Sequence, residues 1–229
     1  RGGLRGFYVL VACVALGVAV IAGVGALSDA LRAGFERQGE VILGGDVTLA
    51  RPHRQAEAAE RAWMQSRGRV SESATLRAMA RRVDGADQVL VELKGVDGAY
   101  PLAGEVKLGR TLPDMTLARA LADDGAVVDA ILLEQLRVGL GDRIEIGRRK
   151  VEVRAVLAAE PDKISDRLTF GPRVLIGLPT LAASGLVEPG SLVRWRYALK
   201  LAGPATPATL AAFRDAAKAG LPDAGFTLA

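Results

Sequence analysis

Cysteine and histidine each occur once in the 229 residues, at Cys13 and His53. One cysteine excludes an internal disulfide framework and any cysteine-based zinc site. One histidine, set in Arg51-Pro52-His53-Arg54, sits among cations that repel a metal or an imidazolium, and it reads as a loop residue. Aromatic residues are scarce, at 4%. Charge of one sign is scarce too: 30 Lys plus Arg against 26 Asp plus Glu leaves +4, and only six of the basic residues are Lys. That balance does not describe a phosphate-binding surface, and no nucleic-acid partner is expected. Neither a Gly-x-Ser-x-Gly elbow, a Gly-x-Gly-x-x-Gly turn nor a Walker-type Gly-x-x-x-x-Gly-Lys-Ser/Thr loop occurs. What is abundant is aliphatic side chain. Half the chain is apolar and 24% is charged, which excludes a disordered polymer and allows one large domain or two small ones.

The longest uncharged run is Phe7 to Leu27, FYVLVACVALGVAVIAGVGAL. A helix needs roughly 20 apolar residues to cross a bilayer core, so this run predicts a transmembrane helix. It is too long for the h-region of a cleaved signal peptide. Leu10-Val11-Ala12-Cys13 resembles a lipobox, but the residues after Cys13 stay apolar where a mature lipoprotein would turn polar. Arg1 and Arg5 favour a cytoplasmic N-terminus, with residues after about 28 outside. Ala15, Ala19, Gly23 and Ala26 recur at three- and four-residue spacing, either as a helix-packing face or as ordinary small-residue usage in a membrane helix. Beyond the span, Leu27, Leu31, Phe35 and Ile42 share one helical face until Gly44-Gly45. Residues 7–43 as one helix would be about 55 Å long.

The remainder reads as alternating short strands and helices: strands at 46–49, 69–83 and 87–96, and a helix over 55–67. A helix is expected at 116–123, a strand at 126–129 and a helix at 130–137. A hairpin of 143–146 with 150–157 follows, then an exposed loop at 158–172. The rest reads as a strand at 174–176, a helix at 179–184, a strand at 192–201, a helix over 207–219 and a last strand at 224–228. This order is α+β rather than regular βαβ. Gly139-Leu140-Gly141-Asp142 precedes a strand, so it reads as a turn, not a phosphate loop. The pairs Asp84/Asp87, Asp123/Asp124 and Asp162/Asp166 read as turn formers rather than catalytic carboxylates. Trp195, between Arg194 and Arg196, could stack a base, but strand alternation with Trp195 facing inward accounts for it more simply. No catalytic, metal or cofactor site is expected.

Several stretches resemble one family. Leu43-Gly44-Gly45-Asp46-Val47, then Val127-Val128-Asp129, Leu136 and Val138-Gly139-Leu140-Gly141-Asp142-Arg143-Ile144, are similar to the MacB-like periplasmic core domain of FtsX/MacB-type ABC transporter permeases. Phe170-Gly171-Pro172-Arg173-Val174-Leu175-Ile176 and the run from Leu186 to Tyr197 resemble the YbbP-like branch. The resemblance implies a transmembrane helix with a short cytoplasmic N-terminus (1–27), a helical stalk (28–45) and a periplasmic domain of two subdomains. One subdomain would comprise 46–97 and 191–229, the other an inserted β-rich piece, 98–190. It implies a permease in the bacterial inner membrane, coupling ATP hydrolysis by a partner to export or extraction of a lipid-like substrate or to a periplasmic protein. The partners would be an ATP-binding subunit, further transmembrane helices or a second permease copy, and the lipid membrane. Leu31, Phe35 and Ile42 would be the stalk's coupling face. Such permeases are longer, and Arg1 stands where Met would be expected, so the chain reads as the N-terminal piece of a larger subunit. The competing expectation is a singly anchored periplasmic interaction module without an ATPase.

Overall fold

A computed structural model describes residues 7–8, 10–11, 13–26, 45–161, 171–221 and 224–228. The chain divides into two units, Arg1–Gly39 and Glu40–Ala229. In the first, the described residues 7–8, 10–11 and 13–26 are helical. Its large apolar side chains, among them Phe7, Tyr8, Leu10, Leu16, Val20 and Ile21, are exposed. Among the described residues no helix is long and apolar enough to cross a membrane. The expected stalk, with Leu31, Phe35 and Ile42, lies outside the described residues.

The second unit is built on a ten-stranded mixed sheet. Its strands are β1 (Val47–Pro52), β2 (Gly68–Arg82), β3 (Gln88–Val96), β4 (Lys107–Thr111) and β5 (Gly125–Asp129). Then come β6 (Arg143–Ile146), β7 (Arg149–Ala159), β8 (Arg173–Gly177), β9 (Arg194–Leu201) and β10 (Thr227–Leu228). The helices are α1 (Ala58–Gln65), α2 (Leu117–Leu121), α3 (Ala130–Leu136), α4 (Leu178–Ala183) and α5 (Pro207–Gly220). The α+β expectation holds, and the expected elements are present within a few residues at each end. One strand, β4, was not expected. The β7 strand runs to Ala159, so the loop expected at 158–172 begins later, and its residue Glu160 is buried rather than exposed. Asp162, Asp166 and Phe170 lie outside the described residues.

Strand order is β10-β1-β9-β2-β3-β8-β5-β7-β4, with β6 bridging β2 and β7. The pairings β2–β3–β8–β5–β7–β6–β2 therefore close a ring. The long β2 makes this possible: its first half pairs with β9 and its last residues, Ala80 to Arg82, with β6. At the other margin β1 pairs antiparallel with β10, Leu49 opposite Leu228.

Alternation assigns each face its core. Ala126 and Val128 of β5, Val174 and Ile176 of β8, and Val91 and Leu93 of β3 join one large core with Ile144, Ile146, Val151 and Val153. Met64 of α1, Leu132 and Leu136 of α3, Leu181 of α4 and Phe213 of α5 complete it. Trp195 faces this core and is buried, as alternation predicts. The intervening residues Val127 and Leu175 face a second, smaller core with Ala155, Leu157, Val106 and Ala120 of α2. In β7 the phase changes between Val153 and Val156. The register against β5 slips by one residue there, Ala126 facing Val153 and Val127 facing Ala155. Arg154 is the extra residue of this β-bulge. Its guanidinium turns back to donate to the carbonyls of Arg119 and Ala122, at 3.0 and 2.7 Å, which end α2. The bulge thus lets one strand serve both cores and anchors the short helix over the smaller one.

Candidate functional site

The smaller core is not closed. A cleft of about 1010 Å³ opens along its margin, walled by Tyr100, Pro101 and Val106 on one side and Met115, Leu117 and Leu121 on the other. Leu108 at the start of β4 and Gly177 and Pro179 at the start of α4 complete the floor. Among the described residues its charged lining is Asp97, Glu105 and Lys107. Asp97 accepts three hydrogen bonds, from the Ser71 hydroxyl at 2.8 Å, the Glu72 amide at 2.7 Å and the Ala99 amide at 3.1 Å.

Both walls are pinned by polar contacts. On one side the Tyr100 hydroxyl lies 3.0 Å from Lys94 Nζ and from Glu160 Oε1, and Lys94 sits 4.4 Å over the Tyr100 ring. On the other, the Thr116 hydroxyl caps α2 by accepting from the Arg119 amide at 3.3 Å, and Arg154 holds the helix's last carbonyls.

Tyr100 leads from the cleft into a buried ionic cluster. Lys94 Nζ meets Glu160 Oε1 at 2.5 Å, Arg173 Nε meets Glu160 Oε2 at 3.1 Å, and Arg173 Nη1 meets Glu92 Oε1 at 3.2 Å. Arg173 is fully buried and Lys94 nearly so. The register explains the meeting: parallel pairing places Glu92 beside Arg173 and Lys94 beside Leu175, while Glu92 and Lys94 share one face of β3. In these contacts two cations face two carboxylates. Such groups survive burial only as a set. The Arg173 contacts are ion pairs rather than aligned hydrogen bonds, and each carboxylate is committed to a cation.

A second polar knot ties the margin of the sheet. Arg51, buried in β1, donates to Glu60 Oε1 and Oε2 at 2.9 and 2.8 Å and to the carbonyls of Gln55 and Ala224 at 2.5 and 2.9 Å. It also lies 4.4 Å over the Phe226 ring. Burial acts to raise the Glu60 carboxyl, but hydrogen bonds from Arg51 and the Glu57 amide, with the charges of Arg51 and Arg54, outweigh it and hold the group below the ordinary carboxylate range. Asp124 behaves alike: burial raises it, while hydrogen bonds from Arg149 and Thr180 and the charges of Arg149 and Arg143 lower it further. Burial pushes the Tyr197 phenol up, and the adjacent Glu72 adds to this.

Of the residues singled out in sequence, Ala15, Ala19, Gly23 and Ala26 are helical and exposed, and a Cβ on Gly23 would meet nothing within 4 Å. His53 is an exposed loop residue at φ 66°, its Nδ1 3.2 Å from the Ser191 carbonyl. Asp123 and Asp124 both have positive φ, as turn formers do. Gly141, at φ 88°, makes the expected tight turn, closed by the Gly139 amide donating to Asp142 Oδ2 at 2.8 Å. Among the described residues no group of three His, Cys, Asp or Glu could hold a metal. The cleft and the ionic cluster beneath Tyr100 went unforeseen. The available signal was Glu92 and Lys94 two apart in a strand, and Arg173 directly after Pro172.

The comparisons with known proteins bear on the whole of this architecture. The sequence pattern of the MacB-like periplasmic core domain matches residues 9–216. The chain belongs to that family. It is 29% identical over 189 residues to a protein of Escherichia coli (strain K12) described as an uncharacterized ABC transporter permease, YbbP. That alignment takes in 80% of this chain but only 22% of the relative, so the chain spans about a fifth of its length. In fold it is similar to the periplasmic region of MacB from Actinobacillus actinomycetemcomitans, with a TM-score of 0.54 at 10% identity, over 81% of this chain and 89% of that one.

Proposed function

We propose that this MacB-like domain, with its N-terminal helix, is the first membrane helix and periplasmic core of an ABC-type permease subunit in a bacterial inner membrane. The observation that carries the proposal is the reach of the family match, residues 9–216, which takes in both the apolar N-terminal helix and the domain. The similarity to YbbP supports the same reading. Residues 7–27 would span the bilayer with Arg1 and Arg5 cytoplasmic, and Ala15, Ala19, Gly23 and Ala26 would meet another helix of the same subunit or a second copy. ATP hydrolysis belongs to a partner subunit in this reading. Residues 28–45 would carry its motion into the domain, with Leu31, Phe35 and Ile42 as the packed face. The output would be export or extraction of a lipid-like molecule, or work on a periplasmic protein. Residues 46–97 and 191–229 would act as one subdomain and 98–190 as an insertion. In strand order β10-β1-β9-β2-β3 are neighbours and β8-β5-β7-β4 follow, with both pieces joined through β3–β8 and β2–β6 in one sheet.

The test is purification of the chain from its native membrane, followed by reconstitution. An ATP-binding subunit should copurify, and a flexible Gly-Ser insertion after Gln38, or Phe35→Asp, should leave that association intact while abolishing ATP-driven output. Absence of any ATP-binding subunit would favour a singly anchored interaction module. Output at normal rates after the insertion would make the stalk a mere tether.

A further inference from the structure

We infer that the cleft between Tyr100 and α2 is a binding site for a single-chain zwitterionic amphiphile. This deepens the reading above, that the subunit handles a lipid-like molecule, and rests on it for the ligand's origin. The cleft itself is argued from its own walls. Ligand sites are concave, mostly apolar, roughly 300–1000 Å³, largely preformed, and carry a few convergent polar groups. At about 1010 Å³ this one lies at the upper end of that range and holds one elongated molecule. Its walls are apolar along their length, from Val106 and Leu108 to Met115, Leu117 and Leu121. They are also fixed in advance. The buried Lys94–Glu160 pair holds Tyr100, and Arg154 holds α2, so the gap is built into the fold and is not a looseness between loops.

The charged groups choose the head. Among the described residues three line the cleft, and Asp97 already accepts from one hydroxyl and two amides. That leaves one ammonium, Lys107, and one carboxylate, Glu105, both exposed and two residues apart. A head bearing one anionic and one cationic group complements this pair, Lys107 taking the anion and Glu105 the cation. A purely anionic or purely cationic amphiphile would leave one of the two facing a like charge. The chain would then lie against Leu108, Met115 and Leu117.

The test is photolabelling of the full chain with a lysophosphatidylethanolamine carrying a diazirine on its acyl chain, followed by peptide mapping. Adducts should appear on peptides holding Met115, Leu117 or Leu121, in addition to any on the apolar residues 7–26. Dodecylphosphocholine should displace the cleft label. Laurate and dodecyltrimethylammonium should each compete about 1.5- to fivefold less well, the range expected for loss of one exposed ion pair. Lys107→Gln and Glu105→Gln, both on the surface, should each reduce cleft labelling by a similar factor without changing labelling of 7–26. Adducts confined to 7–26, or cleft labelling indifferent to both variants, would overturn the site. Equal competition by laurate would overturn the choice of head. Cleft labelling lost while the ATP-binding subunit still copurifies sinks only this inference. Labelling retained with no such subunit sinks only the permease reading.

Discussion

Replacing Arg173 by Met tests whether the buried ionic cluster behaves as one unit. Arg173 is fully buried, 3.1 Å from Glu160 and 3.2 Å from Glu92. Methionine fills much of its stem, so lost packing is a small part of the effect. Removing the guanidinium takes one cation away from both Glu92 and Glu160. Glu160 keeps its 2.5 Å partner, but Glu92 loses the cation at 3.2 Å. Breaking a buried pair by deleting one partner costs about 3–5 kcal/mol. Against a total stability of about 5–15 kcal/mol, that leaves the domain marginal. The second variant, Arg173→Met with Glu92→Gln, removes a carboxylate together with the cation it faces. It should recover about 1–3 kcal/mol, the penalty of an uncompensated buried group. Both Trp residues of the chain, Trp63 and Trp195, lie in the sheet-bearing unit. Guanidinium titration followed by their fluorescence therefore reports on that unit and not on the N-terminal helix. A single variant within about 1 kcal/mol of the parent, or a double variant no more stable than the single, would refute the reasoning.

Acid stability should follow Glu60 and Asp124, whose folded carboxyls lie below their ordinary values. Their contribution is complete above the unfolded range of about 4 and is lost as pH falls through the folded values. Unfolding midpoints measured from pH 6 to pH 2 should drop below about pH 4, and the drop should be shallower in Glu60→Gln with Asp124→Asn. Gly125→Ala should destabilise by about 1–3 kcal/mol in the same titration, because the added methyl would run into the Ala120 carbonyl and the Arg154 guanidinium. Gly98→Ala, whose Cβ would meet nothing within 4 Å, should change little.

Much of the fold was legible because period-two alternation survives in β2, in the first half of β3 and in β9, and because Thr206-Pro207 opens α5 as a capped helix start should. What escaped has particular causes. β4 reads Lys-Leu-Gly-Arg-Thr, with one apolar residue in five, and its pairing with β7 is broken by register shifts, so no alternation could reveal it. In β7 the bulge at Arg154 turns a regular pattern into the run Ala155-Val156-Leu157, whose members belong to two different cores. The ionic cluster was hidden by the same rule that found the strands. Glu92 and Lys94 occupy the polar half of an alternating strand and read as solvent-facing. Only the arrival of Glu160 and Arg173, far along the chain, puts them inside. The cleft is likewise a property of surfaces from four separate segments, none distinctive alone.

The antiparallel seam between β1 and β10 has a consequence for protein engineering. Because Leu49 stands opposite Leu228, the first and last strands of this unit run side by side in opposite directions, and Arg51 clamps them by bonding to the Ala224 carbonyl. Transplanting the unit into the loop of a foreign scaffold would need only a host hairpin whose two arms stand about 5 Å apart, the ordinary spacing of neighbouring strands. No bridging linker would have to be designed. The host would experience the graft as a longer hairpin, and the clamp would travel with it.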